Sequence, residues 1–173
     1  MSVEVRAVIE SPEYTHTQLV ALGAVNNGAY AFTDILYHPI GGVYDFNTEC
    51  VRLRMYTRSN WVHKPVVLTH KRKGIADARA ATIKQLEFDI PQEACEELKG
   101  HMEAFTVSRT GMEYAWQGAR IFVEKIEHLL PTVEIIAPTQ QEGEQIFDLL
   151  GCTQVLGDNV PAFIEKMLKT RSR

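Results

Sequence analysis

The sequence has few cysteines, and their spacing fits neither a zinc site nor a disulfide framework. Its three cysteines, Cys50, Cys95 and Cys152, lie far apart and include no C-x-x-C pair. An odd number at wide spacing argues against a disulfide-stabilised scaffold and against a structural metal centre. We therefore expect these cysteines to be small buried residues of a reduced, cytoplasmic protein.

Long apolar segments are also missing. The first residues include Glu4 and Arg6 and no apolar stretch of the signal-peptide type, so no signal peptide is expected. No apolar run approaches the roughly 20 residues that cross a membrane, so no membrane partner is expected. At 173 residues, the chain is long enough for one domain with its own core.

Net charge is low. The 18 basic and 22 acidic residues leave a formal charge of -4, and 45% of residues are hydrophobic. This composition is typical of a soluble globular protein and argues against a general nucleic-acid coat.

The chain is predicted to contain about eight short strands, with helices early, midway and at the end. The strands are predicted over 3–10, 30–37, 50–57, 65–71, 83–90, 105–109, 120–126 and 132–137. The helices are predicted over 13–22, 92–102, 139–150 and 161–169, and Asn26-Asn27-Gly28 predicts a turn. Successive strands without alternating long helices favour an α+β fold with an antiparallel sheet or barrel.

Charged residues occupy one face of several strands. Arg52 and Arg54 alternate with apolar residues in one strand, and Glu87 and Asp89 do so in another. Such neighbours lie about 6.5 to 7 Å apart on one face. The simplest interpretation is a sheet with one face against helices and the other in water. However, some strands carry only bases and others only acids. Closed into a barrel, they would hold a polyphosphate and its divalent cations.

The order of these charged strands resembles the CYTH superfamily, the triphosphate tunnel metalloenzymes. Seven motifs of the family have counterparts here in the same chain order. The first four are E-x-E-x-K at Ser2–Arg6, a pair of arginines at Arg52–Arg54, L-T-x-K at Leu68–Lys71 and R-x-E-x-E at Gln85–Asp89. The last three are V-x-K-x-R at Val107–Gly111, a strand with an aspartate at Val123–Glu124 and a closing E-x-E at Glu134–Ile136. The resemblance covers about residues 2 to 169.

The resemblance implies a closed or nearly closed antiparallel barrel of about eight strands around a triphosphate tunnel. It implies one domain over 1–173, with the C-terminal helices at about 139–169 packed outside the barrel or forming a homodimer contact. The family includes class IV adenylate cyclases, thiamine triphosphatases and inorganic triphosphatases. The implied activity is metal-dependent hydrolysis of a triphosphate, or cyclisation of ATP to cyclic AMP, with Mg²⁺ or Mn²⁺ as the cofactor.

The resemblance also implies roles for ten residues. Those implied to bind the triphosphate are Arg6, Arg52, Arg54, Lys71 and Arg109. Those implied to hold the metal are Glu4, Glu87, Asp89, Glu124 and Glu134. Arg6, Lys71 and Glu87 are implied to take part in catalysis.

Four positions depart from the family pattern: Ser2, Gln85, Gly111 and Ile136 replace residues that carry charge in the family. Ser2 and Ile136 fall in the acidic pairs, so metal binding is expected to be weaker. An alternative function is therefore a tunnel that binds a phosphorylated ligand without turning it over.

A second alternative arises from residues 50–76, which contain no acidic residue. The basic residues of this segment are Arg52, Arg54, Arg58, Lys64, Lys71, Arg72 and Lys73. Bases interleaved with aromatics such as Tyr56 and Trp61 are also typical of single-stranded nucleic-acid surfaces. Because strand spacing already accounts for three of these bases, a nucleic-acid partner is the less favoured interpretation.

Overall fold

The computed structural model describes residues 2–39, 45–46, 48–58, 66–73, 83–89, 102–152, 154–156 and 160–171. Side chains are described for these residues except 39, 58, 71–73, 83–89, 102–104 and 167–171. The strands are β1 (Val3–Val8), β2 (Val25–Pro39), β3 (Glu49–Arg58), β4 (Val66–Lys73), β5 (Ile83–Asp89), β6 (Met102–Trp116), β7 (Ala119–Ile126), β8 (Thr132–Ala137) and β9 (Gln154–Val155). The helices are α1 (Pro12–Ala21), α2 (Gln140–Leu149) and α3 (Val160–Arg171).

The strands form one sheet in the order β5-β4-β3-β2-β6-β7-β8-β1-β9. The pairs β1/β8, β1/β9, β3/β4, β4/β5, β6/β7 and β7/β8 are antiparallel. The α+β class is therefore confirmed. Within the described residues the hydrogen-bonded order starts at β5 and ends at β9. A closed barrel is therefore not confirmed.

Two helices begin at capping residues that are recognisable in the sequence. Ser11 Oγ accepts a hydrogen bond from the Tyr14 backbone N–H at 3.2 Å at the start of α1. Thr139 Oγ1 accepts from Glu142 N at 3.3 Å and donates to the Glu142 carboxylate at 2.7 Å at the start of α2. These contacts satisfy N–H groups that have no partner within the helix.

The predicted turn at Asn26-Asn27-Gly28 is wrong, because these residues lie within the 15-residue strand β2. Asn26 Oδ1 accepts from the Gly28 N–H at 2.8 Å, and Gly28 has a φ of 113°. Both features are typical of turns, but here the strand continues through them. The predicted strand at 105–109 is the middle of the longer β6. The predicted helix at 92–102 lies outside the described residues, except that Met102 begins β6.

Contacts divide the chain into two compact units. Unit 1 comprises Met1–Ala31, Arg58–Asn60 and Arg109–Gly157, and unit 2 comprises Phe32–Thr57, Trp61–Ser108 and Asp158–Arg173. In unit 1, alternate apolar residues of β1, β7 and β8 pack against α1 and α2, which contribute Leu19 and Ile146. This burial covers one face of the unit 1 strands and leaves the other face for the polar residues.

Unit 2 has its own apolar clusters. Tyr37, Leu53 and Val66 are buried together, and Phe46 packs edge-on against Phe105 with ring centroids 5.3 Å apart. Leu53 lies between Arg52 and Arg54 on β3, so the predicted alternation of apolar and basic residues is present.

The cysteines whose side chains are described, Cys50 and Cys152, are buried free thiols, as expected from their spacing. Burial raises the pKa of the Cys152 thiol to about 11. Cys95 lies outside the described residues. Within the described part of the chain, no helix has the length and apolar character needed to cross a membrane.

Candidate functional site

The ten predicted site residues divide equally between the two units. Unit 1 contains Glu4, Arg6, Arg109, Glu124 and Glu134, and unit 2 contains Arg52, Arg54, Lys71, Glu87 and Asp89.

Strand register places the unit 1 set on one face of its sheet. Arg6 lies opposite Glu134, and Glu124 lies opposite both Thr132 and Gly111. Residues that face each other across antiparallel strands share a face. We call this the unit 1 charged face; its members are Glu4, Arg6, Arg109, Gly111, Glu113, Arg120, Phe122, Glu124, Thr132, Glu134 and Ile136.

Arg6 is the buried centre of this face. Its Nη1 contacts Glu124 Oε2, and its Nη2 lies 2.6 Å from Glu134 Oε2. Nη1 also donates to Thr132 Oγ1 at 3.2 Å. Burial by itself lowers the pKa of Arg6, but the charges of Glu134 and Glu124 outweigh it, so the pKa lies above its ordinary value. The positive charge expected to bind phosphate is therefore compensated by two carboxylates within the protein.

Tyr30 is a member of this cluster that the sequence did not indicate. Its hydroxyl donates to Glu124 Oε1 at 2.7 Å, while Arg109 Nη1 lies 3.8 Å from Glu124 Oε2. Burial, and next the charge of Glu124, raise the pKa of the Tyr30 phenol above its ordinary value. Tyr30 therefore stays a hydrogen-bond donor, and Glu124 is held at both oxygens.

Gly111 makes room for Tyr30. A Cβ at position 111 would lie 2.5 Å from the Tyr30 hydroxyl and 2.8 Å from the Val123 carbonyl oxygen. The position where the family motif has its second basic residue is thus next to the tyrosine ring. A basic side chain at position 111, as the resemblance would lead one to expect, would not fit beside Tyr30.

We predict that Gly111→Ala and Gly143→Ala change stability in opposite directions. Gly111→Ala should lower the free energy of unfolding by about 1–3 kcal/mol, because the new methyl overlaps Tyr30 and backbone. At Gly143 in α2 the nearest atom is Val5 Cγ2 at 3.4 Å, an ordinary contact. There alanine should add about 0.5–1 kcal/mol through helix propensity. Urea unfolding of both variants measures this, and a stabilising Gly111→Ala would contradict the packing described.

The unit 2 set is organised by a buried aspartate. Asp34 is fully buried on β2. Its Oδ1 accepts from Arg54 Nε at 2.7 Å, and its Oδ2 accepts from Arg54 Nη2 at 2.9 Å. Arg52 Nε lies 3.8 Å from Asp34 Oδ1, and Arg52 Nη2 donates to Thr69 Oγ1 at 3.3 Å. The structure therefore brings the two predicted arginines together at one carboxylate.

Arg54 is also held by aromatic rings. Its guanidinium carbon lies 3.6 Å from the centre of the Phe32 ring and 5.9 Å from that of Tyr56. Burial lowers the pKa of Arg54, but the charge and hydrogen bonds of Asp34 outweigh it, and the pKa is raised. Asp34 is absent from the sequence-based list, although it is the only acidic residue between Tyr30 and Tyr37. A lone acid in an apolar strand was the signal that could have identified it.

Register places the remaining predicted residues of unit 2 on the same face. Arg52 lies opposite Thr69 on β4, and Thr69 lies opposite Glu87 on β5. Lys71 and Asp89 are each two residues from these positions along their strands. We call Arg52, Arg54, Thr69, Lys71, Gln85, Glu87 and Asp89 the unit 2 charged face. The side chains of Lys71, Gln85, Glu87 and Asp89 lie outside those described.

The described carboxylates of unit 1 do not have the arrangement of a metal site. Among the described side chains, no three His, Cys, Asp or Glu residues form a metal-binding group. Glu124 is held by Arg6 and Tyr30, Glu134 contacts Arg6, and Glu4 is exposed. Arg6 lies between Glu124 and Glu134, so these two carboxylates are not arranged to bind a divalent cation between them. A Mg²⁺ or Mn²⁺ site therefore stays a prediction. Of the five predicted metal ligands, Glu87 and Asp89 are the pair on one strand outside unit 1.

No protein-family model and no curated protein sequence matches the chain. Solved structures do match it. The PH1819 protein from Pyrococcus horikoshii OT3 has a TM-score of 0.77 at 17% identity, covering 96% of this chain and 99% of that one. A candidate adenylate cyclase from Vibrio parahaemolyticus has a TM-score of 0.71 at 9% identity, covering 95% and 97%. HpAC1 from Hippeastrum, a candidate adenylyl cyclase with dominant triphosphatase activity, has a TM-score of 0.62 at 14% identity, covering 95% and 94%.

These likenesses define the class of fold. The chain shares the fold of these solved structures, which include candidate adenylate cyclases, and the resemblance predicted from the order of its motifs is confirmed at the level of the fold. The low sequence identities leave activity, metal and substrate to be inferred from this chain's own residues.

Proposed function

We propose that the protein binds a triphosphate on its unit 2 charged face and hydrolyses it with the help of a divalent cation. The supporting observation is the arginine pair Arg52 and Arg54, fixed by Asp34 on a face to which register also assigns Lys71 and Glu87. Three basic residues on adjacent strands suit an anion with several phosphate groups.

Asp34 prepares the arginines for this role. It takes the Nε and Nη2 edge of Arg54, so the remaining edge of the planar guanidinium is directed away from Asp34. Stacking on Phe32 fixes the plane of that edge. A preorganised guanidinium loses less conformational entropy on binding an anion than a mobile one does.

In-line phosphoryl transfer mainly requires positioning and charge stabilisation, which such a face provides. A divalent cation, when bound, would neutralise and polarise phosphate oxygens, and Glu87 and Asp89 are the carboxylates proposed to hold it. Arg52, Arg54 and Lys71 would orient the phosphates. Cyclisation of ATP would use the same contacts, with the ribose hydroxyl replacing water as the nucleophile.

A second candidate is a protein that binds a phosphorylated ligand without turnover. It is favoured by the closed cluster in unit 1, where Arg6 is compensated by Glu124 and Glu134. The loss of acidic residues at Ser2 and Ile136 points the same way.

The experiment that tests the proposal is a turnover assay on tripolyphosphate, thiamine triphosphate and ATP, each with Mg²⁺ and with Mn²⁺. Released phosphate, pyrophosphate and cyclic AMP are measured, with binding measured in parallel by calorimetry. Turnover supports the enzyme, and cation-independent binding without turnover supports the second candidate. Absence of both would refute the proposal. Salt-sensitive RNA or DNA binding in a gel-shift assay would then favour the nucleic-acid alternative.

Arg52→Gln should weaken tripolyphosphate binding about tenfold, the usual size of one lost charge-assisted contact. The variant leaves the Arg54–Asp34 pair intact, so folding should be preserved. Lys125→Gln is the matched control, because Lys125 is exposed and lies 3.7 Å from Glu13, a contact outside both charged faces. Equal affinities for the two variants would contradict the assignment of Arg52.

A further inference from the structure

Arg120 is the exposed arginine of the unit 1 charged face, and a buried carboxylate orients it. Its Nε donates to Glu113 Oε1 at 2.8 Å, and its side chain is 52% exposed. Glu113 itself is buried and also accepts from Asn27 Nδ2 at 3.4 Å. The carboxylate is therefore fixed in the protein, and it fixes the arginine that contacts it.

An aromatic ring provides the second constraint on Arg120. The guanidinium carbon lies 5.0 Å from the centre of the buried Phe122 ring. A cation at this distance is attracted to the ring face. Within the described residues, Glu113 is the only hydrogen-bonding partner of the Arg120 side chain. Its two Nη groups are thus left for solvent or a ligand.

The same construction holds Arg54 in unit 2. In both units a buried acid accepts from the arginine Nε, and a buried phenylalanine lies beneath the guanidinium. Arg6 differs, because it is 9% exposed and two glutamates contact its Nη groups. Arg120 is therefore better suited than Arg6 to bind an anion, because it is more exposed and its Nη groups contact no carboxylate among the described residues.

Strand register shows which residues surround Arg120 on the unit 1 charged face. Arg120, Phe122 and Glu124 alternate along β7 and therefore share one face, and Arg120 lies opposite Ile136 on β8. Ile136 stands where the family motif has its last glutamate. The carboxylate that would repel an anion at this point is thus absent, and an arginine is directly across the strand pair.

We propose that Arg120 forms a second phosphate-binding site, within the unit 1 charged face, while Arg6 serves to neutralise Glu124 and Glu134. The ligand class is a phosphate or polyphosphate anion, so the inference rests on the proposed function for its ligand, while its site lies within unit 1. Arg120 is not among the five residues that the family resemblance implies to bind the triphosphate.

The test separates anion contact from neutralisation of Glu113. The variants are Arg120→Gln, the double variant Arg120→Gln/Glu113→Gln, and Lys125→Gln as a control for loss of one positive charge on the same strand. The double variant removes the buried carboxylate together with its partner, so its melting temperature should stay close to that of the wild type. Tripolyphosphate affinity is measured by calorimetry at fixed ionic strength.

We expect both Arg120 variants to bind tripolyphosphate about tenfold more weakly at this second site and to leave the site that Arg52→Gln weakens unchanged. Lys125→Gln should change either affinity less than about twofold. If the double variant binds like the wild type, Arg120 only neutralises Glu113 and the inference is wrong. If the wild type does not bind tripolyphosphate at all, the proposed function fails, and this inference fails with it. Binding lost in Arg52→Gln but not in the double variant would refute the Arg120 assignment alone.

Discussion

Replacing Arg6 by methionine is expected to lower the free energy of unfolding by about 3–5 kcal/mol, the usual loss when one partner of a buried ion pair is removed. Arg6 separates Glu124 and Glu134, and methionine would leave these two carboxylates facing each other with no compensating cation between them. Tyr30 would still donate to Glu124, but one neutral hydrogen bond does not replace a guanidinium. Urea unfolding with circular dichroism detection measures the loss.

A double variant tests the origin of this loss. Arg6→Met/Glu124→Gln removes the more buried of the two carboxylates together with its partner, while Tyr30 can still donate to the glutamine oxygen. It should be more stable than Arg6→Met alone, because contacting residues of one charge network are not additive. A loss under about 1 kcal/mol for Arg6→Met, or a double variant less stable than the single one, would show that the cluster is not a coupled unit.

Asp34→Ala is the second substitution with a large expected effect. It removes the carboxylate shared by Arg52 and Arg54 and leaves two guanidiniums close together in unit 2. We expect a loss of about 3–5 kcal/mol in the free energy of unfolding. Asp34→Asn is the matched control, because it keeps the shape and one acceptor oxygen, and it should cost about 1–3 kcal/mol.

The Asp34→Ala variant also tests anion binding. Tripolyphosphate should raise its melting temperature less than it raises that of the wild type, because Asp34 no longer holds the arginines in the geometry proposed to bind the anion. Thermal unfolding with and without tripolyphosphate measures the difference, and sodium chloride at matched ionic strength is the control. An equal or larger shift in the variant than in the wild type would indicate that Asp34 does not prepare the arginines for an anion.

Local sequence signals predicted most of the regular structure. The strand β8 was predicted with its observed bounds, and β7 and α2 within one residue at each end. Period-2 alternation and capping residues act over a few neighbours, so they can be recognised without tertiary information. The error at Asn26-Asn27-Gly28 has a physical reason. A local Asn–Gly hydrogen bond forms there, but pairing with neighbouring strands keeps β2 extended.

The candidate site was predicted less completely. Spacing along β3 predicted that Arg52 and Arg54 share one face, and in the structure both contact one carboxylate. The sheet order was needed to identify that carboxylate as Asp34, which lies on the neighbouring strand, 20 residues from Arg54 in the sequence. Tyr30 was missed for the same reason, since its partner Glu124 is 94 residues away.

The sequence by itself determined which residues alternate, where charge of each sign occurs along the chain, and in what order the family's motifs follow. Only the tertiary structure decided which charges compensate each other. Arg6 and Arg120 are both single arginines in strands, and no local pattern distinguishes them. Packing places Arg6 between two glutamates and leaves Arg120 half exposed above Phe122. Charge compensation depends on distances between strands far apart in sequence, and these are set by the register of the folded sheet.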